Sequence, residues 1–198
     1  MRYDIRNRYN LNIVVEYRAV KSPSGLAFVQ HGFSGFKEEL HIAAIAEVFR
    51  KHDISTVTFD ASNAFGESAG KLEDARLGKH AQDLEDVIAW AKGQDWYAEP
   101  FFLAGHSLGG ASVLSYATQF PDQVKGLAPL STVVSGELLI EACKRHTPDD
   151  WSELKDRGYI MKQSSLRPEK TGKRMMEYYI EACDHDFLNT AVLFYVII

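Results

Sequence analysis

A chain of 198 residues, 45% of them hydrophobic, is long enough to bury one core and too short to favour two domains. Its formal net charge of −5 is spread over interleaved acids and bases with no basic block, which argues against nucleic acid and anionic membrane as partners. The longest apolar run, residues 191–198, falls far below the about 20 residues that a bilayer crossing needs. No secretory pattern is read ahead of Cys143 and Cys183, whose spacing suits no metal, so free thiols in a reducing, cytoplasmic setting are expected.

In chain order, residues 2–6 and 12–20 read as two strands paired across the Asn-rich turn at residues 7–10. After Ser22-Pro23-Ser24-Gly25 comes a short apolar run at 26–30, a glycine loop, and a helical pattern over 38–51. A second strand at 54–59 leads through a Gly/Ser/Asn loop into Leu77, Ala81, Leu84, Val87, Ile88 and Ala91 at helical spacing. Residues 101–104, 107–120 and 126–130 repeat the alternation as strand, helix and strand. Such β-α alternation requires an α/β architecture, a mostly parallel sheet flanked by helices.

From residue 131 to 189 no strand is evident and three helical stretches are expected, at 137–145, 149–157 and 173–182. This region reads as a helical cap. Thr147, Pro148 and Asp150 mark the start of the middle helix as N-cap, first-turn proline and early acid. Residues 192–198 then read as a strand returning to the sheet. The expected organisation is therefore a core over 1–130, a cap insertion over 131–189 and a returning core strand within 190–198.

The strongest chemical signal is Gly105-His106-Ser107-Leu108-Gly109-Gly110 between a buried strand and a helix that begins with small residues. It fits the pattern G-x-S-x-G in the strand-turn-helix context that the pattern requires. A serine hydroxyl is a weak nucleophile and needs exposure, a base and donors for the developing oxyanion. The sharp turn exposes Ser107, Gly105 and Gly109 relieve crowding at the bend, and the helix start offers the Leu108 N–H. A glycine-rich helix start could instead bind phosphate or merely pack tightly, but no Gly-x-x-Gly-Lys pattern accompanies it.

A second motif, His31-Gly32-Phe33-Ser34-Gly35, directly follows the first parallel strand, where its loop would face the same sheet edge as Ser107. With both motifs the chain resembles the α/β-hydrolase superfamily, and His-Gly-Phe-Ser-Gly followed by Lys37 and Glu38 is most similar to bacterial carboxylesterases of the cinnamoyl or feruloyl esterase kind. The stretch from Asp60 to Gly70, containing Gly66-Glu67-Ser68, resembles a further loop of that superfamily. The similarity covers residues 26–130 well and the cap poorly. It implies Ser107 as nucleophile and the Phe33 and Leu108 N–H groups as oxyanion hole, with His31 ordering the loop and His106 packing beside the elbow.

In that superfamily the triad acid and histidine follow the serine in that order. His185, flanked by Asp184 and Asp186, is an alternative base with a carboxylate partner, but it precedes the expected last strand, and the resemblance puts both acid and histidine beyond Ile198. His41, His52 and His80 are expected on solvated faces. The expected function is hydrolysis of carboxylic esters through an acyl-enzyme on Ser107, impaired in this chain, without cofactor or metal and with a small-molecule ester as substrate. A truncated, non-catalytic hydrolase-fold binding protein and a thioesterase or peptidase-like hydrolase are the alternatives, and a second copy of the chain could cover an incomplete sheet edge.

Overall fold

A computed structural model of the chain describes residues 1–188. Its centre is a six-stranded sheet built from β1 (Arg2–Arg6), β2 (Asn12–Arg18), β3 (Gly25–Gln30), β4 (Ile54–Asp60), β5 (Phe101–His106) and β6 (Val124–Leu130). The spatial order is β1-β2-β4-β3-β5-β6. β4, β3, β5 and β6 run parallel, while β2 joins antiparallel to β4 and β1 antiparallel to β2. The expected N-terminal ribbon and mostly parallel sheet are both present. Parallel strands buried on both faces read as continuous apolar runs, which is why β3 and β4 are almost wholly buried.

Helix α1 (Leu40–Lys51) covers one face, where Ile42 and Ala46 pack on Val29 and Ala104. On the other face α2 (Leu77–Ala91) and α3 (Leu108–Gln119) bury Leu84, Val87, Ile88, Val113 and Ala117 against Phe28, Val57, Phe59 and Phe101. Phe28 and Phe101 meet edge to face at 5.0 Å between ring centres. This is the main core.

Residues beyond β6 form α4 (Gly136–His146), α5 (Pro148–Arg157), β7 (Tyr159–Gln163), β8 (Thr171–Met175) and α6 (Met176–Ala182). The cap is thus mixed and not purely helical. The helix expected to begin at residue 173 begins at Met176, because residues 171–175 pair antiparallel with β7 from Thr171↔Gln163 to Met175↔Tyr159. Tertiary contact overrides the local pattern there. Gly158, in the left-handed region at φ 77°, ends α5 and turns the chain into the hairpin, and Ile160 inserts into a second core. That core also holds Leu77, Leu108, Ala111, Leu154, Tyr178 and Tyr179, so it fastens the cap onto the first turns of α2 and α3. The hairpin tip is tethered too, by Arg167 donating to Phe65 O at 3.3 Å and Lys170 donating to Gly66 O at 2.5 Å. The strand expected over residues 192–198 lies outside the described residues.

Candidate active site

Ser107 stands at the junction of β5 and α3 with φ 54° and ψ −115°. A residue other than glycine held there costs on the order of 1–3 kcal/mol and persists only where its surroundings fix it. Two hydrogen bonds do so: Ser107 N–H donates to Leu130 O at 2.8 Å and Ala111 N–H donates to Ser107 O at 3.2 Å. The bend also demands the flanking glycines. A Cβ at position 105 would lie 2.2 Å from Gly109 O, and one at position 109 would lie 2.4 Å from both Gln30 O and His31 O. Both clashes are with backbone, which has no cheap way to yield.

The parallel register sets Gln30 opposite Gly105, so the loops after β3 and β5 emerge at the same end of the sheet. They touch: a Cβ on Gly32 would sit 3.1 Å from Ser107 Cβ and 3.1 Å from His106 O. Leu108 is the first residue of α3, so its N–H has no partner inside the helix. Phe33 N–H likewise has no acceptor among the described residues. The turn at Ser107 and the loop laid against it thus each carry a backbone donor without a partner among the described residues.

His31 is fully buried beneath this loop. Ala61 N–H donates to its Nε2 at 2.9 Å, which leaves the proton on Nδ1 to serve Gly32 O at 2.7 Å. His31 O in turn lies 2.9 Å from His80 Nε2. His80 is thus a buried support and not a solvated residue, because Gln30 and His31 at the end of β3 lie over its turn of α2. Burial, with His31 beside it, pushes the His80 pKa down to about 3, so the ring is neutral and Nε2–H donates.

An ion cluster with a buried Lys37–Asp60 pair at its centre fixes the far end of the loop. Lys37 Nζ lies 2.8 Å from Asp60 Oδ2 and 2.7 Å from both Glu67 Oε2 and Glu38 Oε1. Lys37 N–H and Glu67 N–H also donate to the Asp60 carboxylate, at 2.7 Å and 2.8 Å. Burial alone would lower the Lys37 pKa, but hydrogen bonds to the three carboxylates hold it well above the ordinary lysine range. Burial opposes ionisation of Asp60 too, yet the two N–H donors and the ammonium together hold its pKa below the usual carboxylate range. Oxygens of Glu38, Asp60 and Glu67 approach within 4.8 Å of one another, a spacing that a metal could use. The Lys37 ammonium occupies the position such an ion would take, and Arg2 on Glu67 and Arg167 on Glu38 supply the rest of the positive charge.

The other sequence-predicted residues fall away from the Ser107 hydroxyl. All seven histidines lie among the described residues, and none hydrogen-bonds to it. His106 packs beside the elbow, its ring 4.4 Å from that of His41, and burial and that neighbour lower its pKa. His185 Nε2 lies 3.4 Å from Glu181 Oε1, and Glu181 accepts from Leu77 N–H and Gly78 N–H at the start of α2. Asp186 is spent locally, accepting from Leu188 N–H at 2.9 Å, and Asp184 makes no side-chain hydrogen bond among the described residues. His185 with Asp184 or Asp186 is therefore not assembled with Ser107.

A cavity of about 290 Å³ opens beside Ser107, lined among others by Thr132, Val133, Leu138, Leu139 and Ala142. The sequence did not reveal this wall, since its residues come from the loop after β6 and from α4. The Lys37–Asp60 pair was equally hidden, although the two loops that carry it were marked by their motifs.

A mostly parallel sheet with a strained serine at the strand-to-helix turn, and a glycine loop laid against it, defines an α/β hydrolase. The chain belongs to the family described as serine aminopeptidase, S33, which matches residues 21–178. In solved structures it is similar to Est1E from Butyrivibrio proteoclasticus bound to ferulic acid, at 24% identity over 92% of this chain and 70% of that one, with a TM-score of 0.72. It is also similar to alpha/beta hydrolase domain-containing protein 10 from mouse, at 20% identity, 96% and 72% coverage and a TM-score of 0.70. A hydrolase of Agrobacterium vitis S4 has 14% identity, 96% and 73% coverage and a TM-score of 0.74. Similarity at these identities carries the fold alone. No curated protein matches the sequence.

Proposed function

We propose that the chain is a serine hydrolase acting on carboxylic esters through an acyl-enzyme on Ser107. The observation that carries this reading is the strained Ser107 turn with the Gly32 loop laid against it, and with the Phe33 and Leu108 N–H groups in those two segments left without an acceptor among the described residues. In the proposed cycle Ser107 Oγ attacks the ester carbonyl carbon, its proton passes to a base and the alcohol leaves. Water then attacks the acyl-enzyme, restoring the serine and releasing the acid. Phe33 and Leu108 N–H groups hold the oxyanion in both halves of the cycle. His31 and the Lys37 cluster keep the donor loop in place, and the cavity beside Ser107, whose wall mixes Ser131, Thr132 and Ser135 with Val133, Leu138 and Leu139, supports a small ester with both a carbon portion and polar groups as occupant.

No histidine is within hydrogen-bond reach of Ser107, so acylation by this chain is slow. Triad residues contribute several orders of magnitude to the rate, while an oxyanion hole alone retains part of the acceleration. Amide and thioester substrates belong in the same screen, since the family description names an aminopeptidase. Cys143 and Cys183 are unpaired thiols, which supports a reducing, cytoplasmic setting. The reading also includes a second copy of the chain over β6, the edge of the described sheet, where Leu130 is exposed. Sedimentation checks that last point.

The test is hydrolysis of short p-nitrophenyl esters, together with mass-spectrometric detection of a fluorophosphonate adduct, on the wild-type chain, Ser107→Ala and His185→Ala. Slow labelling that Ser107→Ala abolishes and His185→Ala leaves unchanged is expected. Fast turnover lost in both variants would favour a rearranged triad, and no adduct at all on folded protein would favour a non-catalytic binding module.

A further inference from the structure

The cap hairpin carries an unusual charge. Residues 159–175 hold Lys162, Arg167, Lys170, Lys173 and Arg174 against the single carboxylate of Glu169, in a chain whose net charge is −5. Most of these cations are already engaged. Lys162 pairs with Asp150 at 2.8 Å, Arg167 pairs with Glu38 at 3.2 Å, and Lys170 donates to Gly66 O. Lys173 lies over the Tyr159 ring at 4.4 Å.

Arg174 is different. Its guanidinium carbon stands 4.2 Å from the centre of the Phe33 ring and 5.9 Å from that of Tyr178. One acceptor is in reach, the Tyr179 hydroxyl at 3.2 Å from Nη1. Nε is buried without an acceptor, and no carboxylate pairs with the group among the described residues. Stacking on aromatic faces holds the cation and orients it, yet leaves its charge and part of its donor fork unused. A planar fork with free donors is the side chain best matched to a carboxylate, which can take two parallel N–H bonds at once. Its place is the side chain of the residue whose backbone N–H is proposed to hold the oxyanion.

We propose that Arg174 is a specificity-determining residue that binds a carboxylate on the substrate, so that the preferred esters are half-esters of dicarboxylic acids or similar acids carrying one free carboxylate. This deepens the proposed function and rests on it, since the bound ester must lie with its carbonyl at Phe33 N–H. The charge at Arg174 selects among esters, and the aromatic stack of Phe33, Tyr178 and Tyr179 fixes the distance between the two groups. Because the attraction is partly exposed, added salt weakens it.

The experiment uses the full chain carrying Ser107→Ala, which prevents turnover, and follows the Arg174 Nε and the Phe33 and Leu108 backbone amides by NMR. Monomethyl glutarate, dimethyl glutarate and glutarate are titrated in turn. The expected result is that monomethyl glutarate moves all three signals and binds about tenfold or more tightly than the dimethyl ester, the ratio that a charge-assisted pair supplies. Arg174→Gln, added to Ser107→Ala, should remove that preference while the dimethyl ester still moves Phe33 and Leu108. If the dimethyl ester moves both amides, and the half-ester binds no tighter and leaves Arg174 unmoved, the inference is overturned and the hydrolase site stands. If glutarate moves Arg174 but neither ester moves Phe33 or Leu108, a carboxylate site is present and the hydrolase reading has failed. If none of the three moves any signal, the inference is overturned.

Discussion

Replacing Lys37 with methionine keeps the bulk of the side chain and removes its charge, leaving Asp60 buried with no cation. The Lys37 side chain is 4% exposed and that of Asp60 is 0%, so water cannot take the place of the ammonium. Breaking one partner out of a buried pair costs about 3–5 kcal/mol. Glu38 and Glu67 add little to this figure, since their side chains are 43% and 38% exposed and exposed ion pairs contribute weakly. For a chain of this size the loss corresponds to a Tm lower by roughly 6 to 20 °C. The assay is urea and thermal unfolding of wild type, Lys37→Met, Asp60→Asn and the double variant, as a double-mutant cycle. The double variant should be more stable than the two single losses added together.

The cluster also has a signature in pH. The folded-state pKa of Asp60 is depressed, so its stabilisation is fully present above its unfolded value of about 3.9 and is lost as pH falls through the folded one. Without Lys37 the buried carboxylate takes up a proton more readily. The deficit of Lys37→Met relative to wild type is therefore largest near neutrality and shrinks toward acid. A loss below about 1 kcal/mol, or strict additivity with Asp60→Asn, would refute the argument that this pair anchors the loop after β3.

His80 gives a second pH effect. Its folded pKa, about 3, lies below the unfolded value of about 6.5, so the unfolded chain binds a proton that the folded one refuses. Stability should fall as pH drops below about 6.5, by about 2 kcal/mol at pH 5 from this group, and His80→Gln should flatten that slope in urea titrations run at several pH values. Gly109→Ala forces a Cβ to 2.4 Å from two carbonyl oxygens and should cost about 1–3 kcal/mol while slowing phosphonate labelling of Ser107. An unchanged Tm and an unchanged labelling rate in that variant would contradict the close fit of α3 against β3.

Sequence alone determined the parts whose physics is local. The β-α alternation from β3 to β6, the N-terminal ribbon and the Gly-x-Ser-x-Gly turn each follow from periodicity or from a steric need at particular residues, and each stands where the pattern puts it. Tertiary structure decided the rest. The hairpin of β7 and β8 was illegible because its strands are short, carry Lys162, Gln163 and Lys173 in place of clean alternation, and are stabilised by packing Ile160 into a core shared with α2 and α3. His80 carries nothing in its neighbours that distinguishes a buried ring from a solvated one, and only the crossing of β3 over its helix turn buries it. Lys37 and Asp60 are 23 residues apart, and Arg174 is far along the chain from Phe33. Pairings at such separations arise from the order in which strands enter the sheet and the cap folds back on it, and no local pattern encodes that order.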